Sequence, residues 1–233
     1  MKRGKGDRTG GGSASGRAGG SAGGSGSGGG GTDQRGSADV APPQACRVLL
    51  VVTGGIAAYK AADVVRELHH AGATVQVAMT REATQFVAPL TFEALSGRRV
   101  ALELLPGVTD GSIDHIRLGR ECDVAAVVPA TANFIARLWA GLADDLSSAT
   151  LLALPQTVPL LLAPAMNREM WVHPATRRNV RELAALHGAR LQVVEPVVKE
   201  LACGEIGQGG LAEPSVIAAA ILRHAARRNA APA

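Results

Sequence analysis

Residues able to do chemistry gather at a few places in this 233-residue chain, each just beyond an apolar run of strand length. Asn167 lies in Pro164-Ala165-Met166-Asn167-Arg168-Glu169-Met170-Trp171, directly after the run Val158 to Ala163. Thr131 and Asn133 follow Val124 to Pro129, Thr80 follows the alternating run Ala73 to Met79, and Gly54-Gly55 follow Arg47 to Thr53. Amides and hydroxyls there can hold carboxylate or phosphate oxygens, and adjacent glycines let backbone N–H groups approach an anion at a helix start. Open α/β sheets bind ligands at the rim formed by the carboxyl ends of their strands. Taken singly, each of these residues serves equally well as a turn or a helix cap.

Two further groups could move protons. His115 stands in Asp114-His115-Ile116-Arg117-Leu118, after the Gly-, Asp- and Ser-bearing loop Pro106 to Asp114. Imidazole titrates near neutral pH and suits general base work, although a His beside an Asp is also a common cap or surface residue. Cys203 lies in Leu201-Ala202-Cys203-Gly204-Glu205-Ile206-Gly207-Gln208-Gly209-Gly210-Leu211. The segment Glu195 to Glu213 is too glycine-rich for a helix or a regular strand and is expected to be a long loop of the lid type. A thiol there is accessible and able to donate a proton, or is simply an unpaired cysteine.

Period and punctuation supply the elements that must position these groups. Strands are expected at Arg47 to Thr53, Ala73 to Met79, Val124 to Pro129, Val158 to Ala163 and Leu191 to Val194, with a weak one at Arg99 to Leu105. Helices are expected from Ile56 to Ala71, Pro89 to Ser96, just after Ala130 to Gly141, Asp144 to Leu154, Pro174 to His187 with Gly188 as its stop, and Pro214 to Arg228. His173 and His187 fall on capping or solvated positions and receive no role. The alternation of strands and helices predicts an α/β three-layer sandwich with a mainly parallel sheet.

Composition narrows the classes. With 46% hydrophobic residues the chain can bury one sizeable core. Residues 1–45 hold sixteen of the 29 glycines and no aromatic residue, and are expected to form a disordered Gly/Ser-rich tail; 46–228 form the folded domain and 229–233 a short tail. Most of the net charge of +4 belongs to that tail, so the basic pI of 9.3 does not argue for nucleic acid. The tail lacks the apolar core of a secretory signal, though its composition is compatible with a plastid transit peptide. No apolar run reaches membrane-spanning length. The three cysteines form neither a disulfide framework nor a CxxC site, which fits a reducing cytoplasm. No zinc-ligand spacing, Walker loop, Gly-x-Ser-x-Gly elbow or internal repeat occurs, and no metal site is expected.

Four stretches, in order, resemble one family: the flavin-dependent cysteine decarboxylases. Thr53-Gly54-Gly55-Ile56-Ala57-Ala58-Tyr59-Lys60 is similar to the family's first FMN loop, and Pro129-Ala130-Thr131-Ala132-Asn133-Phe134 to its Pro-Ala-Ser-Ala-Asn-Thr motif. Pro164 to Trp171 fits the Pro-x-Met-Asn-x-x-Met-Trp signature, and Ala202-Cys203-Gly204-Glu205-Ile206-Gly207 resembles the mobile substrate clamp. The resemblance covers about Arg47 to Arg223. It implies a Rossmann-like (flavodoxin-like) fold, FMN held by Gly55, Ile56, Ala57, Thr80, Phe86, Thr131, Ala132, Asn133 and Phe134, and substrate held by Asn167, Met170, Ala202 and Gly204. It implies His115 as catalytic base and Cys203 as the final proton donor. Decarboxylation of a cysteine needs an electron sink, which the flavin supplies by accepting two electrons from the thiol-bearing carbon; CO₂ then departs and hydride and proton return.

The thiol favours the branch acting on phosphopantothenoylcysteine in coenzyme A synthesis, because members acting on a C-terminal peptide cysteine can release an unsaturated product and need no such donor. Relatives that are regulatory flavoproteins rather than enzymes form a third reading, and a prenyl-flavin synthase a fourth that the Asn167 signature and Cys203 argue against. Phe134 replaces the family's usual Thr, and Gly210-Leu211 stands where many bacterial members carry Arg-Met and others Ala-Met. These changes touch one flavin contact and one substrate phosphate or clamp contact. The resemblance further implies a homotrimer or dodecamer with FMN at the subunit interface. It also leaves a separate phosphopantothenoylcysteine synthetase to supply the substrate.

Overall fold

The computed structural model describes residues 45–103, 114–200, 204 and 206–230, with side chains to residue 226. Five strands form a parallel sheet: β1 (Arg47–Val52), β2 (Thr74–Met79), β3 (Val124–Ala130), β4 (Leu160–Pro164) and β5 (Leu191–Val193). Their spatial order is β2-β1-β3-β4-β5, with Val48 facing Val75 on one side and Val124 on the other. The chain leaves β1 toward one edge and returns to its other side as β3. That reversal leaves a crevice at the carboxyl ends of β1 and β3, as in the flavodoxin-like order.

Both faces of the sheet are covered, which is why its strands read as nearly continuous apolar runs. Along β1 the pleat sends Val48, Leu50 and Val52 into one core and Leu49 and Val51 into the other. The first core is closed by α1 (Lys60–His70), α2 (Pro89–Ser96) and α8 (Pro214–Ala230). The second is closed by α3 (Asp114–Glu121), α4 (Ala132–Ala140), α5 (Leu146–Leu152) and α7 (Pro174–His187). In α1 the buried Ala61, Val64, Val65 and Leu68 recur at helical spacing, while Asp63 in the first turn and His69 and His70 in the last complement the helix dipole. Each fully buried Leu or Val contributes about 1.5–3 kcal/mol, so the fully buried Leu49, Leu50, Val51 and Val52 make β1 the spine of the sheet.

Three expectations change. The segment Glu195 to Glu213 contains an antiparallel hairpin, β6 (Val197–Glu200) with β7 (Ile206–Gly210), outside the main sheet. Its glycines are demanded by packing: a Cβ at Gly207 would lie 2.5 Å from Arg168 Cδ, and one at Gly209 2.3 Å from the carbonyl oxygen of Met166. A Gly-rich strand is weak by propensity, and tertiary docking decides it. No helix was expected between the Pro106 to Asp114 loop and the third strand, yet Asp114 and His115 begin α3, whose Arg117 bridges Asp114 and Glu121, each at 3.2 Å. The weak strand around Arg99 reduces to a parallel bridge between Ala101 and Ala78. Residues 104–113 of that region lie outside the described residues, as do residues 1–44 and 231–233.

Candidate active site

The crevice is a cavity of about 750 Å³, within the range of small-molecule and cofactor sites. Four strand ends build it. After β1 come Thr53, Gly54, Gly55 and a single 3₁₀ turn, Ile56–Tyr59; after β2 come Thr80 and Glu82; after β3 come Thr131 to Phe134; after β4 come Ala165, Met166 and Asn167. Lys199, Glu200, Gly209, Gly210 and Leu211 of the hairpin close one side.

Close backbone approach explains the first glycine. A Cβ at Gly54 would stand 2.3 Å from Glu82 Cβ and 2.8 Å from its carbonyl carbon, so only glycine lets the β1 and β2 turns touch. Thr53 then stitches β1 to β3: its Oγ1 donates to the Pro129 carbonyl at 2.6 Å and accepts the Thr131 N–H at 3.2 Å. Thr131 is the N-cap of α4, accepting the Phe134 N–H at 3.2 Å, and Thr80 Oγ1 accepts the Ala83 N–H at 3.3 Å. The Thr131 hydroxyl is therefore cap and cavity wall at once, and the Thr80 hydroxyl closes its turn while lining the same cavity. An accepting hydroxyl keeps its own proton to donate, and among the described residues no acceptor for the Thr80 proton occurs.

Asn167 is held at the N-terminus of the short helix α6 (Arg168–Val172), where its Oδ1 accepts the Glu169 N–H at 2.7 Å. With the carbonyl oxygen so used, the amide nitrogen carries the donor capacity of the side chain. Trp171, buried in the second core with Arg177 stacked 4.5 Å above its ring, anchors this helix from behind. The hairpin docks from the front, through the Met166 N–H donating to the Gly209 carbonyl at 2.9 Å. Met170 lines the cavity with nearly half its surface exposed.

Charge in the cavity is mixed. Burial pulls the pKa of Arg137 down, yet its hydrogen bonds to Asp144 and Asp145 outweigh this and leave it raised, so the guanidinium is committed to those carboxylates. It also lies 5.6 Å from the Phe134 ring centroid. Lys60 and Lys199 are the remaining cations and Glu82 and Glu200 the anions among the described lining residues.

The structure thus gathers Gly55, Ile56, Ala57, Thr80, Thr131, Ala132, Asn133, Phe134, Asn167 and Met170 into one cavity. Phe86, half exposed beyond the Ala83–Gln85 turn, and His115 do not line it in the single chain. Among the described residues His115 Nδ1 is buried without a hydrogen-bond partner. Gly204 adopts φ +82, a backbone shape that favours glycine, and is likewise not part of the lining. Ala202 and Cys203 lie outside the described residues. Thr53, Tyr59, Glu82, Arg137, Lys199 and Glu200 also face the cavity. For Lys199 no sequence spacing could have signalled this, because only the hairpin pairing brings it there.

Among the described residues no group of His, Cys, Asp and Glu could hold a metal, and no helix is long and apolar enough to cross a membrane. The chain is 42% identical over 173 residues to the "Coenzyme A biosynthesis bifunctional protein CoaBC" of Vibrio vulnificus (strain YJ016), covering 74% of this chain and 42% of that protein. It thus spans about two fifths of the length of such curated relatives. A solved structure of a PPC decarboxylase mutant complexed with pantothenoylaminoethenethiol superposes with TM-score 0.68 at 30% identity, over 77% of this chain and 98% of that one. "The FMN binding protein AtHal3" superposes with TM-score 0.66 at 33% identity, over 76% and 95% of the two chains. Residues 41–226 match the model of the Flavoprotein family, and the chain belongs to that family.

Proposed function

We propose that this protein is an FMN-dependent carboxy-lyase that converts 4'-phosphopantothenoylcysteine to 4'-phosphopantetheine in coenzyme A synthesis. The observation carrying this reading is the convergence of Gly54-Gly55, Thr131 to Phe134 and Asn167 from three separate strand ends on one cavity. The relatives named for coenzyme A synthesis and for PPC decarboxylation support it.

The residues present fit a flavin. Ile56 and Tyr59 expose more than half their surface beside the cavity and offer an apolar wall to a ring system. Gly55 leaves its backbone open, with only Thr131 Cγ2 at 3.4 Å from where its Cβ would stand. The hydroxyls of Thr80 and Thr131 are suited to phosphate oxygens. When bound, FMN supplies the two-electron acceptor without which an α-carboxylate next to a thiol-bearing carbon cannot leave.

The chain's own groups do the rest. The Asn167 amide donates to the departing carboxylate and orients it, and Met170 packs against the substrate on the same helix. His115 removes a proton as the thiol-bearing carbon is oxidised. Its place outside the single-chain cavity, with Nδ1 buried and unpartnered among the described residues, supports a homo-oligomer in which His115 of a second copy completes the site. Cys203, which falls between β6 and β7 in sequence, returns the last proton, with Ala202 and Gly204 shaping its segment. Cys46 and Cys122, which carry thiols, support the cytoplasm as the setting.

Mass spectrometry of products from flavin-loaded protein tests the reading. Incubation with phosphopantothenoylcysteine should release CO₂ and give saturated phosphopantetheine. Turnover of a peptide ending in cysteine but not of this substrate, or no turnover of either, overturns it.

A further inference from the structure

At the amino end of the sheet, opposite the cavity, α7, β5, α8 and the turn before β4 meet on one residue. Arg190 closes the 3₁₀ turn Gly188–Arg190 that joins α7 to β5. Its guanidinium reaches the turn before β4: Nε donates to the Val158 carbonyl at 2.8 Å, Nη1 to Gln156 Oε1 at 3.1 Å and Nη2 to the Leu154 carbonyl at 3.3 Å. Nη1 also donates to Nδ1 of His187, the last residue of α7, at 3.1 Å. The Arg190 carbonyl accepts the Nε2 proton of His224, a buried residue of α8, at 2.8 Å. The β6–β7 ribbon is preceded in the chain by β5 and followed by α8, so both of its roots are fastened to the same arginine.

The partners fix the state of the imidazoles. Arginine accepts no hydrogen bond, so His187 Nδ1 must hold a lone pair, with the ring proton on Nε2. A carbonyl donates none, so His224 is bonded through an Nε2–H, and among the described residues its Nδ1 has no partner. Arg190 is the charged side chain that acts on His187, and among the described residues no carboxylate acts on either. The turn before β4 contributes the neutral Gln156, and α8 reaches Arg190 through His224. Burial, and then the Arg190 charge, push the His187 pKa below the ordinary histidine value, against the preference of a helix C-terminus for a cation.

A proton on His187 Nδ1 replaces the acceptor by a donor that faces an N–H of the guanidinium. The hydrogen bond becomes a contact between two cations, and relief requires the end of α7 or the Arg190 side chain to withdraw. We propose that His187 and Arg190 form an acid-released latch on the roots of the β6–β7 ribbon, closed while His187 is neutral and opened by one proton on its Nδ1. The edge strand β5, three residues long and paired with β4, has least to hold it once Arg190 moves. The latched state is the poorer proton binder. Latching is therefore complete above the ordinary histidine range and weakens as the pH falls below about 6.5, by at most about tenfold per pH unit for one proton, down to the lowered folded value.

Hydrogen exchange of the flavin-loaded full chain, read by mass spectrometry at about pH 7.5 and about pH 5.5 and corrected for intrinsic rates, tests the latch. Peptides covering residues 154–158 and 191–193 should open up to about tenfold more readily at the lower pH, with those of β1 unaffected. His187→Gln keeps an acceptor for Arg190 but cannot titrate, and should abolish the difference. His187→Lys carries a permanent cation and should show the open behaviour already at the higher pH. Equal exchange of these segments at the two pH values in the parent overturns the proposal. So does an acid-induced increase that persists in His187→Gln, or a His187→Lys protein as protected at the higher pH as the parent.

Discussion

Gly209→Ala isolates the role of the hairpin in positioning Asn167. The added Cβ would stand 2.3 Å from the Met166 carbonyl oxygen and 3.3 Å from the Arg168 N, and contacts under 3.0 Å are essentially never found. The obstacle is backbone, so β7 must withdraw until that contact exceeds 3.0 Å, stretching the 2.9 Å bond from the Met166 N–H to the Gly209 carbonyl. Loss of that bond costs about 0.5–1.5 kcal/mol and residual crowding about 1–3 kcal/mol. Because the hairpin lies outside the sheet and can shift, the sum should fall near 2 kcal/mol, a Tm lower by about 4–8 °C for a domain of this size. The effect on catalysis should be larger in proportion. A displacement approaching 1 Å beside the carboxylate-binding amide should lower kcat/KM by about 100-fold while flavin absorbance per chain is unchanged. Differential scanning fluorimetry and steady-state CO₂ release on one preparation check both numbers. A Gly209→Ala protein within twofold of the parent in kcat/KM, at whatever Tm, would refute the claim that hairpin docking positions Asn167.

Asn167→Asp sets a second carboxylate against that of the substrate and should raise KM by at least about tenfold with flavin retained, measured by substrate titration against flavin content. Cys203→Ser should still release CO₂ but accumulate the unsaturated enethiol, two hydrogens lighter than phosphopantetheine in the mass spectrum, because a serine hydroxyl is too weak an acid to complete the return of the proton. Lys199 supplies a pH dependence. Its folded pKa lies below the unfolded value, so it loses its charge at lower pH than an ordinary lysine. The unfolded chain therefore binds the extra proton between the two values, and folding stability should rise as the pH is raised through that interval, as read by thermal melts across an alkaline series; a fall there would refute the assignment.

The sheet was legible because a strand covered on both faces must be apolar throughout. Val48 to Val52 can read only as such a strand, and the Gly54-Gly55 turn that follows marks its carboxyl end. Asn167 and Thr131 were legible because each follows a buried run directly, so position along the chain fixes position on the rim. The hairpin was not. β7 is Ile206-Gly207-Gln208-Gly209-Gly210, a composition with low strand propensity, and it forms because its glycines admit Arg168, Met166 and Lys199 at distances no side chain tolerates. Those partners are distant in sequence, and no local pattern encodes them. The helix around His115 was missed for a related reason: its support comes from Arg117 pairs on the surface and from Leu118 packing into the second core, whereas the preceding Gly and Asp residues signal a loop.

The attachment of the β6–β7 ribbon bears on how new specificities can arise on this scaffold. Among the described residues it shares no strand pairing with the five-stranded sheet, and it meets the β4 end through the Met166–Gly209 hydrogen bond and the side chain of Arg168. The ribbon, which seats Asn167 and carries Cys203 between its strands in sequence, is thus separable from the sheet and its two cores. A graft exchanging residues 195–213 between two family members, with the Pro164 to Trp171 segment carried along to preserve the seat, leaves β1, β3 and both cores unaltered. Such a chimera should inherit its stability from one parent and its choice of substrate from the other.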